Sequence, residues 1–309
     1  MTDLEIRGCR TVDELVAVVD LCDRAFENTP REYFERHKLK DPTLSVHHTR
    51  IGLKDGHLVT SVQVFPRTCW VEGRRVRFGG IGDVATDPTQ RKHGYAALMM
   101  NDAIAVMAAE GYEFSMLTTT INSYYEKFGY RTIPREVAVV ASITPRSGPE
   151  VRRFDRARDL AMVQDLYTAY NSGSVGPVAR DDVYWHGQFD FCGEDPEKFL
   201  VYEAGGHLAG YIRANVEKGF LQVLEFAASD SIAEVFDALL HAVALRSPGL
   251  PCKIFLSARE KERLRIRPVH TMQVDTDLMV RVMDEPARTL VESVIMRPHA
   301  IMYWLSDFF

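Results

Sequence analysis

In the run Gly79-Gly80-Ile81-Gly82-Asp83-Val84-Ala85-Thr86-Asp87-Pro88-Thr89-Gln90-Arg91-Lys92-His93-Gly94-Tyr95-Ala96, three kinds of local structure follow one another. Ile81 to Thr86 reads as a strand. Asp87-Pro88 ends it, because proline has no N–H for a ladder. A cationic loop containing Gly94 comes next, and a helix begins at Tyr95. Ala96, Met99, Met100, Ala103, Val106 and Met107 fall at helical spacing. The opposite side is largely apolar too, which predicts a helix over Tyr95 to Ala109 covered on most sides. Strand, basic loop, helix is a geometry for an anion. The first helical N–H groups have no intrahelical partner, and the helix dipole adds partial positive charge there. Gly94 lets an anion approach the backbone with no Cβ in the way, and Arg91 and Lys92 add full charges. The run contains neither the G-x-x-x-x-G-K-[ST] phosphate loop nor the G-x-G-x-x-G dinucleotide turn.

R-x-x-G-x-A at Arg91, Gly94 and Ala96, following Val84-Ala85-Thr86-Asp87-Pro88, resembles the acyl-CoA pyrophosphate loop of the GCN5-related N-acetyltransferases, the GNAT superfamily. The resemblance implies that Arg91, Lys92, His93, Gly94, Tyr95 and Ala96 hold the pyrophosphate of acetyl-CoA. It further implies that the preceding strand splays from its neighbour, so that Val84, Ala85 and Thr86 offer an open edge to the pantetheine. A second motif joins it. Leu117-Thr118-Thr119-Thr120 reads as the next strand, and Y-x-x-F-G-Y runs from Tyr125 through Phe128 and Gly129 to Tyr130. It resembles the segment after the cofactor strand in these enzymes, where the leading tyrosine protonates the departing thiolate. Tyr125 then takes that role, and a phenol with an ordinary pKa of ~10 carries its proton at neutral pH. Asn122 matches a position that hydrogen-bonds the cofactor. Phe128 and Tyr130 read as packing residues, and Gly129 as a special backbone conformation.

The chain also repeats its own opening. Ile6-Arg7, Leu15, Val18 and Asp20-Leu21 recur at a constant offset as Val151-Arg152, Leu160, Val163 and Asp165-Leu166. Each copy reads as a short strand followed by an amphipathic helix, the first opened by the capping box Thr11-x-x-Glu14. Asp55-Gly56-His57 and Gly205-Gly206-His207 echo each other as hairpin turns; histidines just after such turns are expected in solvent. The fold class is α/β (α+β mixed). Two tandem GNAT-like domains are expected, each a mixed, mostly antiparallel sheet flanked by helices, with the second degenerate. The connector Thr144-Pro145-Arg146-Ser147-Gly148-Pro149 divides a catalytic domain, 1–145, from a second domain, 150–309. Between Phe226 and the helix near Ile232 to Leu245 stands only Ala227-Ala228-Ser229-Asp230-Ser231, with no R-x-x-G-x-A and an acid where a phosphate needs a cation. The second domain is therefore read as scaffold or acceptor-site wall.

Composition narrows the class. The 309 residues are 46% hydrophobic and 26% charged, ordinary for a soluble globular chain. A net charge of −6 gives no basic excess for nucleic acid. No apolar run approaches the ~20 residues of a membrane span, and the N-terminus lacks a secretory h-region. Five cysteines without a C-x-x-C pair suggest neither a disulfide framework nor a metal knuckle, and point to the cytoplasm. The expected partners are an amine-bearing small molecule or peptide, with a homo-oligomer possible and neither nucleic acid nor membrane. Acetyl-CoA is the expected co-substrate, without a metal.

An active first domain with a degenerate second resembles the Eis-like acetyltransferases, although the chain is too short for their sterol-carrier-like domain. In that group the chain-terminal carboxylate acts as base, which here implies Phe309. Asp83 is a second catalytic candidate and Glu225 an alternative base. The lead-in Asn28 to Phe34 and the loop Phe189 to Glu197 are expected to border the acceptor pocket. The resulting reaction is acetyl transfer to a primary amine by direct attack in a ternary complex. A non-catalytic acyl-CoA sensor and a transferase with a different acyl donor, such as aminoacyl-tRNA, remain the alternatives.

Overall fold

The computed structural model of the chain describes residues 4–192, 195–229, 231–266 and 268–308. The first half runs β1 (Leu4–Gly8), α1 (Val12–Ala25), α2 (Arg31–Leu39), β2 (Thr49–Lys54), β3 (His57–Val71), β4 (Arg74–Thr86), α3 (Tyr95–Ala109), β5 (Phe114–Thr118), α4 (Asn122–Glu126), β6 (Arg131–Thr132) and β7 (Arg135–Val140). The second runs β8 (Val151–Arg153), α5 (Arg156–Asn171), β9 (Val175–Val178), α6 (Asp182–Phe191), β10 (Phe199–Ala204), β11 (His207–Glu217), β12 (Phe220–Ala228), α7 (Ile232–Ala244), β13 (Cys252–Leu256), α8 (Ala258–Leu264), β14 (His270–Asp275) and β15 (Leu278–Val282).

These strands form two mixed sheets. One has the order β1-β2-β3-β4-β5-β15-β6, with β9 also on β3; the other has the order β14-β7-β13-β12-β11-β10-β8. Apart from β9, their plans match strand for strand, and in each the only parallel pair of strands among the described residues lies beside the first long helix to follow the hairpin, β4 with β5 and β12 with β13. The repeat reaches individual side chains. Arg7 grips Glu14 at 2.6 and 3.0 Å, and Glu14 takes the Arg10 amide at 2.6 Å. Arg152 likewise grips Asp159 at 2.7 and 2.9 Å, and Asp159 takes the Asp155 amide at 2.8 Å. The box opening α1 is thus half of what was expected. Thr11 Oγ1 accepts from the Glu14 amide at 3.3 Å, but the Glu14 carboxylate turns to Arg7 and Arg10.

The sheets do not part at the connector. β7, from the first half, lies between β14 and β13, and β15, from the second half, lies between β5 and β6. Both exchanged strands are apolar. Ala138, Val140, Leu278, Met279 and Val280 are completely buried, so each needs a neighbouring strand and a covered face. The exchange knits the halves together and brings the link between β14 and β15 to the place where the sheets meet.

Helix α3 spans the residues expected of it, and Met99, Met100, Ala103 and Met107 are fully buried against the first sheet. Its far side is not covered. Asn101, Ala105, Ala108 and Ala109 face solvent, where alanine favours a helix and exposes little apolar surface. The strand read at Leu117 to Thr120 ends instead at Thr118, and His57 and His207 are exposed after their turns.

Candidate active site

Strands β4 and β5 pair in parallel from Phe78 with Phe114 to Ile81 with Leu117, and there the pairing stops. β5 ends at Thr118 while β4 runs on to Thr86 beside β3 alone, so the two part like an opening wedge. The parting coincides with a bulge. Gln63 faces Gly82 and Ser61 faces Ala85, so Asp83 and Val84 share the space opposite Val62, with Asp83 at φ 49°. This is the splay expected ahead of the loop, and it leaves Val84, Ala85 and Thr86 along one lip.

Asp83 is engaged in a buried ion pair. Its carboxylate lies 2.7 Å from Lys38 Nζ on α2, with both side chains almost wholly buried. Gln63 Oε1 stands 3.4 Å from the same ammonium and is held by Thr49 Oγ1 at 2.6 Å. Burial presses the Lys38 pKa down, but Asp83 and its other neighbours outweigh that and raise it. A carboxylate engaged in a buried ion pair pins the bulge. Moving a proton onto it would leave Lys38 as a buried, uncompensated charge.

At the tip of the wedge, Asp87 caps the turn Pro88–Gln90 by accepting from the Thr89 amide at 3.0 Å. Lys92 at φ 70° and Gly94 at φ 81° then reverse the chain into α3. No side chain caps this helix, and among the described residues the amides of Arg91 to Ala96 donate no hydrogen bond. A Cβ on Gly94 would meet nothing within 4 Å, so the approach is open. Arg91 is exposed and donates to the Ala25 carbonyl at 3.0 Å; His93 stacks on Tyr95 at 5.5 Å. A recess of about 270 Å³ lies here, lined by Thr86, Arg91, Lys92, Gly94, Ala96 and, from α4, Tyr124. The sequence reading passed over Tyr124 and its neighbour Lys127. The Tyr124 hydroxyl is buried without a hydrogen-bond partner among the described residues, a signal invisible in its neighbouring letters.

Tyr125 is half-buried beside Tyr124 (5.0 Å) and Tyr130 (6.4 Å), and its hydroxyl makes no hydrogen bond among the described residues. Burial, with a contribution from Tyr124, pushes its pKa up to about 12. Gly129 has φ 82°, as its place in the motif suggests, while Phe128 and Tyr130 are buried. Asn122 departs from expectation. Its amide nitrogen donates to Thr132 Oγ1 at 2.7 Å and to the Thr276 carbonyl at 2.8 Å, so both donors are spent on fixing α4. Only its carbonyl oxygen is left for a ligand.

A second and larger cavity, about 710 Å³, opens between the halves. Its wall includes Pro30 and Tyr33 from the expected lead-in, Thr118 to Thr120 at the end of β5, Cys192, Leu224, Phe255, Asp277 and Phe308. Gly193 and Glu194, within the expected bordering loop, lie outside the described residues. The chain's tail is docked. Asp307 is fully buried and accepts from Arg180 Nε at 2.9 Å, Arg180 Nη2 at 2.8 Å, Tyr184 at 3.0 Å and Gln188 at 2.8 Å. The Phe308 carbonyl stands 3.3 Å from His37 Nε2. Phe309 lies outside the described residues. Glu225 is held in a buried ion pair with Arg180. Burial works to raise its pKa, but Arg180 and Arg213 outweigh this and hold it below its ordinary value, and it also accepts from Tyr211 at 2.6 Å.

Among the described residues one trio has metal-ligand types, His47, His48 and Glu110. His48 Nδ1 accepts from the Ser45 amide at 3.1 Å, so the neutral ring carries its proton on Nε2, the atom 3.6 Å from Glu110. That tautomer suits a hydrogen bond to the carboxylate and not a metal.

Residues 6–133 match the acetyltransferase (GNAT) domain family. Three solved structures share the fold across nearly the whole chain. A probable N-acyltransferase from Enterococcus faecalis V583 has a TM-score of 0.71 and 19% identity, over 93% of this chain and 74% of that one. A GCN5-related N-acetyltransferase from Kribbella flavida has a TM-score of 0.70 and 22% identity, over 96% and 74%. Eis1 from Mycobacterium abscessus has a TM-score of 0.63 and 17% identity, over 95% and 76%. No curated protein matches the chain by sequence. No described helix is long and apolar enough to cross a membrane.

Proposed function

From the match of residues 6–133 to the acetyltransferase (GNAT) domain family, we propose that the chain is a GNAT-type acyltransferase that moves an acetyl group from acetyl-CoA to a primary amine by direct attack in a ternary complex. The observation that carries the reading is the unsatisfied N-terminus of α3 at the mouth of the β4–β5 wedge. The free amides of Arg91 to Ala96, with the charges of Arg91 and Lys92, suit a pyrophosphate. The lip Val84 to Thr86 suits the amides of a pantetheine, and the orphaned Tyr124 hydroxyl gives the recess a further polar contact.

The protein's own groups then divide the chemistry. A backbone N–H near Ala85 stabilises the oxyanion, a contribution of ~3–4 kcal/mol in other enzymes. Tyr125, protonated at any physiological pH, delivers its proton to the departing sulfur. No acyl-cysteine is needed. Cys9, Cys22, Cys69 and Cys252 are buried, and burial raises their thiol pKa values away from the reactive thiolate range. The second half provides the acceptor-site wall: where β4 is followed by a cationic loop, β12 turns into α7 within a short link. A cytoplasmic location agrees with the free thiols.

The test is release of CoA thiol from acetyl-CoA with a panel of aminoglycosides, polyamines, lysine peptides and amino acids. Amine-dependent release supports transfer. Tight CoA binding with no release for any amine turns the reading to a sensor.

A further inference from the structure

We propose that Asp277 receives the acceptor's ammonium and takes its proton, so that the second half of the chain supplies the base for the first domain's reaction. This rests on the acetyl-transfer reading above. Asp83 and Glu225 are both engaged in buried ion pairs, so neither is free to receive the ammonium.

Asp277 stands in the link between β14 of one sheet and β15 of the other. Both sides of this link are tied to the elements that frame the chemistry. The Thr119 amide, just past the end of β5, donates to the Asp277 carbonyl at 2.8 Å. Asn122, at the start of the helix that carries Tyr125, donates to the Thr276 carbonyl at 2.8 Å. The proposed base and acid thus sit on segments hydrogen-bonded to each other. The strand exchange is what delivers the base there.

Asp277 lines the 710 Å³ cavity with Thr118, Thr119 and Thr120. Four carboxylates line that cavity, and three have partners. Asp275 takes Arg135 at 3.0 and 2.8 Å, Glu32 takes Arg36 at 2.9 Å, and Glu217 lies 3.5 Å from Lys218. The Asp277 carboxylate alone has neither hydrogen bond nor ion pair among the described residues, and the residue is half-buried. Burial raises its pKa, with Asp275 acting in the same direction and Arg135 and Lys218 against. The groups that hold this link, Thr119 just past β5 and Asn122 at the start of α4, are neutral. A carboxyl raised above its ordinary value is a better proton acceptor near neutral pH than a salt-bridged one.

The step balances. Asp277 takes one proton from the ammonium, and the freed nitrogen lone pair forms the C–N bond as the C–S bond breaks. Tyr125 protonates the sulfur and is restored by the second nitrogen-bound proton through solvent. Asp277 releases its proton to solvent, so each transfer yields one amide, one thiol and one proton. The ligand class is a primary ammonium.

The experiment compares Asp277→Asn with the wild type, using the best amine of the panel and 2,2,2-trifluoroethylamine, which is largely unprotonated at pH 7.5. The side chain makes no hydrogen bond or ion pair among the described residues, so the variant should fold and bind acetyl-CoA with unchanged Kd by calorimetry. For the protonated amine kcat/KM should fall at least about 100-fold, within the range of general-base catalysis. For trifluoroethylamine the loss should stay within about 5-fold. Wild-type kcat/KM should rise with pH through the Asp277 pKa, a limb absent from the variant, and Asp277→Glu should restore part of the rate. Equal losses for both amines, or an unchanged pH profile, overturn the proposal and leave acetyl transfer standing. Failure of the wild type to release thiol with any amine overturns both.

Discussion

Replacing Tyr125 with phenylalanine isolates one proton. The hydroxyl has no hydrogen-bond partner among the described residues, so its removal breaks no such bond, and the ring contacts to Tyr124 and Tyr130 survive. Stability should therefore change by no more than ~0.5 kcal/mol, as for a substitution away from a packed or bonded feature. With the phenol pushed up to about 12, only roughly one molecule in thirty thousand is ionised at pH 7.5. The wild type is thus poised to donate, and its pH profile should show no alkaline limb from this residue up to pH 10. Loss of a positioned general acid costs about 10²–10⁴ in rate, which is about 2.7–5.5 kcal/mol of transition-state stabilisation. Thiol release at saturating amine should show that fall in kcat, while calorimetry gives the wild-type Kd for acetyl-CoA. A kcat within 3-fold of wild type, with the fold intact, would refute the assignment and pass the role to a water or to Tyr124.

Three further outcomes are expected. Arg91→Glu reverses an exposed charge beside the open amides of α3, and should weaken acetyl-CoA binding by at least about 10-fold, or ~1.4 kcal/mol, with little change in Tm; an unaltered Kd removes the loop from cofactor binding. Arg180→Met strands the buried carboxylates of Glu225 and Asp307, and should cost about 3–5 kcal/mol in urea unfolding; an unchanged midpoint means the tail is not held by this cluster. Arg7, with the Arg10 amide, holds the half-exposed Glu14 at about 2, below its ordinary 4.5, despite the opposing effect of burial. Its contribution is complete above pH 4.5 and lost as pH falls towards 2, so Glu14→Gln should flatten acid unfolding in that interval. Superimposable wild-type and variant curves would count against the pairing.

The letters of the chain determined the pieces whose causes are local. Asp87-Pro88 ends β4, Gly94 turns the backbone to positive φ, and the methionine spacing buries one face of α3 over its full length. Each effect acts between residues a few positions apart, so the order of strand, loop, helix, strand and motif tyrosine could be read directly, as could the doubling of that plan. The helix's exposed far side escaped because hydrophobic composition does not distinguish a covered alanine from a bare one.

Tertiary structure decided which charges are free. Asp83 looks available beside its sequence neighbours, yet its partner Lys38 stands 45 positions away. Asn122 looks free for a ligand, yet spends a donor on Thr276, 154 positions away. Asp277 carried no signal at all, because its place depends on two strands changing sheets. A charge's chemistry depends on what comes within a few ångströms of it, and for buried groups that neighbour is set by how distant segments pack.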